Sequence, residues 1–222
     1  PILTAAGRLT GEAKYIDMAE RHLTFMQRHC LRDDGLYRHS PLCETPWGRG
    51  NGFPALGLAL ALTDLQAILD QPATDRAGDA ALREATTWVH ARMLKDFRAH
   101  LQALLKHQDP TGCWRQVIDH RGAYREHTST CMITFAMARG LRQGWLDEAT
   151  FRPPVERAWE AIKLRTGEDG VLFDVCTGTG KQRTLQDYLD REAIFGRDER
   201  GGAMALIVAT EMANLRGASD EK

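Results

Sequence analysis

The chain has little that would mark it for nucleic acid or for a membrane. Lys and Arg number 29 against 30 Asp and Glu, for a formal net charge of −1, so no broad basic surface for nucleic acid or anionic lipid is predicted. The apolar run over residues 53–62 is far shorter than the roughly 20 residues that cross a bilayer. It is therefore interpreted as a buried helix, and neither nucleic acid nor a membrane is an expected partner.

The sequence also lacks the cysteine pairs and glycine patterns of metal and cofactor sites. Its five cysteines are scattered and include no C-x-x-C pair, which argues against a disulfide framework and a zinc site and favours a reducing, cytoplasmic location. Histidines and cysteines between residues 107 and 131 match no familiar zinc spacing. The segment GRGNG matches no phosphate loop. We predict no metal and no cofactor.

Alternating strand patterns are nearly absent, whereas apolar residues recur at helical spacing. They run from Tyr15 to Cys30 after Gly11 and predict a helix there. Further helices are predicted over 54–69, 80–107 with one break allowed, 129–143, 154–164 and 202–215. The predicted fold class is all-α.

Three similar turns punctuate these helices: DDGLY, DPTGCW and EDGVLF. Each suits a glycine (Gly35, Gly112 and Gly170) with positive φ, followed by a short extended segment. Their unequal separation fits successive helical hairpins better than a solenoid. Hairpins of this kind closed into a ring form an α/α toroid, with the site where the loops converge.

The first turn leads into a polar cluster ahead of the apolar run. His39, Trp47, Arg49 and Asn51 lie close together, with glycines at 48, 50 and 52 that would let the backbone approach a ligand. Arginine can donate two hydrogen bonds to one carboxylate, and tryptophan can stack against a sugar ring. The cluster predicts a pocket for a polar, anionic ligand. Singly, the tryptophan could also be a core residue and the arginine a surface charge.

The segments PWGRGNGF and DGLYRH resemble glycoside hydrolase family 105 and its relative, family 88, the unsaturated uronyl hydrolases. YREHTSTCM, VCTGTG and the last helix add weaker support. The resemblance implies an (α/α)6 barrel that removes a 4,5-unsaturated uronyl residue from the non-reducing end of lyase-generated oligosaccharides. In that family an aspartate protonates the vinyl ether double bond and activates the water that adds across it, and the resulting hemiketal collapses.

Carried onto this chain, the resemblance makes His39 a supporting catalytic residue. The implied substrate-binding residues are Trp47, Arg49, Asn51, Phe53 and Glu126. Phe53 departs from the tryptophan common in the family, which keeps stacking but loses an N–H group. Glu126 could equally be an N-terminal helix cap.

The family's aspartate would precede Pro1, and the chain holds about half of the helices of a twelve-helix barrel. We expect residues 1–222 to be a single α/α-barrel domain, the C-terminal half to two-thirds, lacking its N-terminal helices. A noncatalytic carbohydrate-binding or scaffold toroid and another barrel activity, such as an epimerase or lyase, are the alternatives. The expected partner is an unsaturated uronic-acid oligosaccharide; its glycan, its linkage and the oligomeric state of the protein stay open.

Overall fold

The computed structural model describes the chain from residue 1 to residue 220, with side chains described to residue 217. Its elements are α1 (Ile2–Thr10), α2 (Ala13–Cys30), α3 (Gly48–Leu69), α4 (Asp79–Leu105), α5 (His127–Arg142), α6 (Glu148–Leu164), β1 (Leu172–Cys176), α7 (Leu185–Leu189), β2 (Ala193–Gly196) and α8 (Glu199–Asp220). The all-α prediction is confirmed, although β1 and β2 pair as a small antiparallel sheet that the sequence did not predict.

The helices form two layers built from hairpins. In one layer α1, α3, α5 and α8 pack side by side in that order, and in the other α2 packs against α4. The hairpins α1–α2, α3–α4 and α5–α6 join the layers. This is the arrangement of an α/α toroid. Helix α5 lies between α3 and α8, and nearly every one of its residues is buried.

Three turns connect the second layer to the first at one end of the molecule. Their glycines, Gly35, Gly112 and Gly170, have φ angles of 84°, 96° and 79°, as the sequence predicted. A backbone bridge from Leu31 to Tyr37 closes the first turn, and one from Arg115 to Arg125 follows the second. Because the up-and-down hairpins place the starts of α3, α5 and α8 at the same end, the three turns come together there.

Several predicted helix boundaries are wrong in an instructive way. Helix α4 is unbroken, which the prediction allowed, whereas α6 begins at Glu148, ahead of the predicted start at 154, with Pro153 and Pro154 inside it. Helix α3 begins at Gly48, six residues before the predicted start, and contains Pro54. Proline removes one backbone donor and disfavours a helix interior, yet α3 and α6 both continue through it.

Helix α3 is also long and apolar enough to cross a membrane by length and composition alone, with a mean hydropathy of 1.5. In the structure it instead packs against α1, α4 and α5. The core helix of a globular protein passes the same test.

Candidate functional site

The glycine-rich segment forms the first turns of α3 rather than a loop in front of it. The Gly48 amide donates to the Gln116 carbonyl over 2.7 Å. A Cβ at Gly48 would lie 2.6 Å from the Arg115 carbonyl, and one at Gly52 would lie 2.8 Å from Met132. These two glycines therefore allow close packing of α3 on the 115–116 segment and on α5, and the expectation that they face a ligand is wrong.

Asn51 is fully buried behind this turn. Its side-chain oxygen accepts from the Tyr37 amide over 2.8 Å, and its side-chain nitrogen donates to the carbonyls of Tyr37 and Trp47, each over 2.9 Å. Both amide hydrogens are thus used, and the oxygen, which could accept one more bond, is shielded from solvent. In the structure Asn51 ties the first turn to the start of α3, and its assignment as substrate-binding stays a prediction.

His39, Trp47 and Arg49 come together as a stack. The imidazole and indole ring centroids are 4.4 Å apart, and the guanidinium carbon of Arg49 lies 4.9 Å from the indole ring. Trp47 and Arg49 are each only 4% exposed. Arg49 also donates from Nη2 to the carbonyl of Thr177 over 2.7 Å. A cation against an aromatic face is attractive, and more so when it is removed from water.

Two N–H groups of this stack have no acceptor. Among the described residues, neither Nε of Arg49 nor Nε1 of Trp47 meets a hydrogen-bond partner, although both atoms are buried. A buried donor without a partner is costly, by about 1–3 kcal/mol. Such a group calls for an explanation beyond packing.

His39 is the titratable member of the stack. Burial lowers its pKa from the usual value, and the positive charges of Lys181 and Arg49 lower it further. Its Nδ1 lies 2.9 Å from the hydroxyl of Tyr188. The imidazole is therefore neutral near pH 7, with one nitrogen already occupied.

Glu126 is completely buried at the start of α5. Its carboxylate accepts from the amides of Thr128, Ser129 and Cys176 over 3.1, 2.5 and 3.0 Å. The carboxylate caps α5 and holds the last residue of β1 against it. This geometry favours the capping interpretation of Glu126 over substrate binding.

A cavity of about 500 Å³ opens beside the stack, between α1, α2 and α3. His39 and Trp47 line it together with Phe53, which is 56% exposed. Arg49, Asn51 and Glu126 do not line it. Its polar side chains include His22 and Arg38, which the sequence analysis missed because neither stands in the glycine-rich motif. None of the described residues that line it is Asp or Glu.

The five cysteines, all within the described residues, are free of disulfide bonds. Among the described side chains, which end at residue 217, no three of His, Cys, Asp or Glu are placed to hold a metal ion. Cys131 instead lies 3.6 Å from Nε2 of His127 inside α5.

The sequence matches the family model described as Glycosyl Hydrolase Family 88 over residues 1–216. It is 30% identical over 126 residues to an unsaturated 3S-rhamnoglycuronyl hydrolase of Formosa agariphila, covering 56% of this chain and 29% of that protein. It is 25% identical over 175 residues to an enzyme of the same name from an Alteromonas species, covering 73% of this chain and 38% of that one.

The fold is similar to a crystal structure from Salmonella enterica described as a possible member of the GH105 family. The TM-score is 0.79 at 21% identity, over 97% of this chain and 53% of that one. The chain thus spans about half of the compared structure and about a third of the two enzymes. The match over nearly all of its length confirms the resemblance seen in the sequence: the chain belongs to Glycosyl Hydrolase Family 88.

Proposed function

We propose that this chain forms the uronate-recognition side of a glycoside hydrolase that acts on 4,5-unsaturated uronides. The reaction is removal of the unsaturated uronyl residue from the non-reducing end of a lyase-generated oligosaccharide by hydration of its vinyl ether double bond. The family membership and the names of the two enzyme relatives support the substrate class.

The observation that carries the proposal is the stack of His39, Trp47 and Arg49. It holds two buried N–H donors, on the indole and on the guanidinium, that have no acceptor in the described part of the chain. A carboxylate is the acceptor that a guanidinium prefers, because charge-assisted hydrogen bonds are stronger than neutral ones. The carboxylate of a uronyl residue is such an acceptor. It would accept from the unpartnered Nε–H of Arg49, beside the Nη2 that donates to the Thr177 carbonyl.

The catalytic acid is the part of this mechanism that the described residues do not supply. The cavity lining holds no carboxylate. Glu126 is engaged by three backbone amides, and Glu44 pairs with Arg38. We therefore propose that an aspartate outside these 222 residues protonates the double bond, in a ring completed by further helices.

The same observation favours a second candidate, a carbohydrate-binding toroid without catalysis. Such a protein needs the stack and the cavity but no acid. The two candidates agree on what binds and differ only on whether the double bond is consumed.

Titration calorimetry with an unsaturated uronyl disaccharide and with its saturated counterpart tests recognition by this chain. We expect binding of both, weakened in Arg49→Lys, because a lysine cannot form the paired contacts of a guanidinium. The ultraviolet absorbance of the conjugated uronate then tests turnover, in this chain and in one extended at its N-terminus by the preceding coding sequence. Loss only in the extended chain supports the hydrolase; binding without loss in either supports the binder; no binding refutes both.

A further inference from the structure

The segment of residues 177–188, here called the strap, runs from the end of β1 to the short helix α7 and is pinned beside the stack. At its start the Thr177 carbonyl accepts from Arg49 over 2.7 Å. At its end Tyr188 is fastened twice: its carbonyl accepts from the side chain of Gln116 over 2.7 Å, and its hydroxyl meets Nδ1 of His39 at 2.9 Å. The strap therefore reaches the one histidine of the stack.

The orientation of Tyr188 is fixed by its surroundings. It is 1% exposed and packs with Trp47, Val117 and Cys176 in a small cluster apart from the main core. Helix α7 starts with a capping box between Thr184 and Asp187, which holds the backbone of this turn. The phenol can therefore not swing away from His39 without opening the cluster.

The direction of the hydrogen bond is inferred from the partners of the Tyr188 hydroxyl, because its proton needs an acceptor and the described contacts offer one, Nδ1 of His39. The Tyr188 oxygen already accepts from the backbone amide of Gln182 over 3.2 Å. Burial raises the pKa of Tyr188, so its hydroxyl keeps its proton at neutral pH. A hydroxyl has one proton to donate, and Nδ1 of His39 is the acceptor at hand. With Nδ1 accepting, the proton of the neutral imidazole resides on Nε2.

We propose that Tyr188 is a positioning residue that fixes His39 as the Nε2–H tautomer, so that the imidazole offers the cavity a hydrogen-bond donor rather than a base. The inference rests on the proposed function for the identity of the ligand: a uronide, whose carboxylate and ring oxygens accept hydrogen bonds. The Nε2–H of His39 then adds a donor to the unpartnered N–H groups of Trp47 and Arg49, a set that suits the carboxylate of an anionic sugar.

The tautomer is measured directly by long-range proton–nitrogen NMR of the histidines in the wild-type chain, with His39 assigned by its loss in His39→Gln. We expect the pattern of an Nε2–H imidazole for His39. In Tyr188→Phe the pattern should shift towards a mixture of tautomers, because the ring no longer has a donor at Nδ1. The matched control, Tyr15→Phe, removes a phenol hydroxyl from α2, away from the strap, and should leave the His39 signals unchanged.

An Nδ1–H pattern in the wild type overturns the proposal, and so does an unchanged His39 spectrum in Tyr188→Phe. If Tyr188→Phe does not fold, the wild-type pattern still decides the tautomer.

A binding arm separates this inference from the proposed function. If the uronyl disaccharide binds, Tyr188→Phe should weaken binding by roughly two- to tenfold, the effect of loosening one hydrogen bond, while Tyr15→Phe leaves it unchanged. Binding that is equal in both variants overturns the positioning role. An Nε2–H pattern together with no uronide binding in the wild type supports the tautomer and refutes the proposed function.

Discussion

Removal of the Glu126 side chain should destabilise the fold more than the loss of an ordinary helix cap. In Glu126→Ala the buried amides of Thr128, Ser129 and Cys176 lose their carboxylate acceptor. Caps contribute about 0.5–2 kcal/mol, and hydrogen bonds to a charged group about 1.5–3 kcal/mol each. Because these effects do not add fully, we expect a loss of about 3–5 kcal/mol in the free energy of unfolding.

Urea unfolding followed by circular dichroism measures this loss from the shift in the midpoint at constant slope. Asp147→Ala is the matched control, since Asp147 caps α6 through the amide of Thr150 but lies on the surface; its loss should be clearly smaller. Glu126→Gln keeps one acceptor oxygen and should fall between wild type and alanine, so the series can be measured even if alanine prevents folding.

If Glu126→Ala is no less stable than Asp147→Ala, Glu126 does not stabilise the fold as a buried cap. Unchanged stability together with loss of uronide binding would return Glu126 to the substrate-binding residues, as the family resemblance implied.

Three further outcomes are expected. Gly48→Ala should cost about 1–3 kcal/mol of unfolding free energy by overpacking against the Arg115 carbonyl, whereas Gly202→Ala, with open space around it, should not destabilise; equal midpoints in urea would contradict this. Burial raises the pKa of Glu211, but hydrogen bonds and charges from its two arginine partners hold it below 4.5; the stability it contributes above pH 4.5 should be lost as acid titrates it, so the wild-type Tm should fall more steeply than that of Glu211→Gln. Burial lowers the pKa of His39 below 6.5, so the NMR chemical shifts of its ring protons should change with a midpoint below that pH. A midpoint at or above pH 6.5 would show that burial does not control the pKa of this imidazole.

The parts of the fold that were predicted depend on short-range patterns. Apolar spacing predicted α2 with nearly its observed bounds, because one face of that helix packs against the rest. Gly35, Gly112 and Gly170 were predicted to have positive φ, and they do. Glycine adopts this conformation readily because it has no Cβ to clash with its own backbone. Both features are set by neighbours along the chain.

The start of α3 was predicted wrongly, and the contacts of two site residues could not be predicted, because other parts of the chain decide them. Gly48 is the first residue of α3, and its amide donates to the carbonyl of Gln116, a contact that the local sequence does not indicate. Asn51 and Glu126 stand in polar motifs that suggest binding, but the structure also bonds them to the backbone of Tyr37 and Cys176, 14 and 50 positions away. Tyr188 stands 149 positions after His39 and carries no local signal of its contact with it.

The sequence by itself determined the helical class, the three turns, the family and the presence of a polar cluster ahead of α3, since each is written in residue types a few positions apart. Only the tertiary structure decided which members of that cluster face the cavity and which support it. The physical reason is that a polar side chain has a fixed number of donors and acceptors. Whether any remain for a ligand depends on which distant backbone groups fold against it.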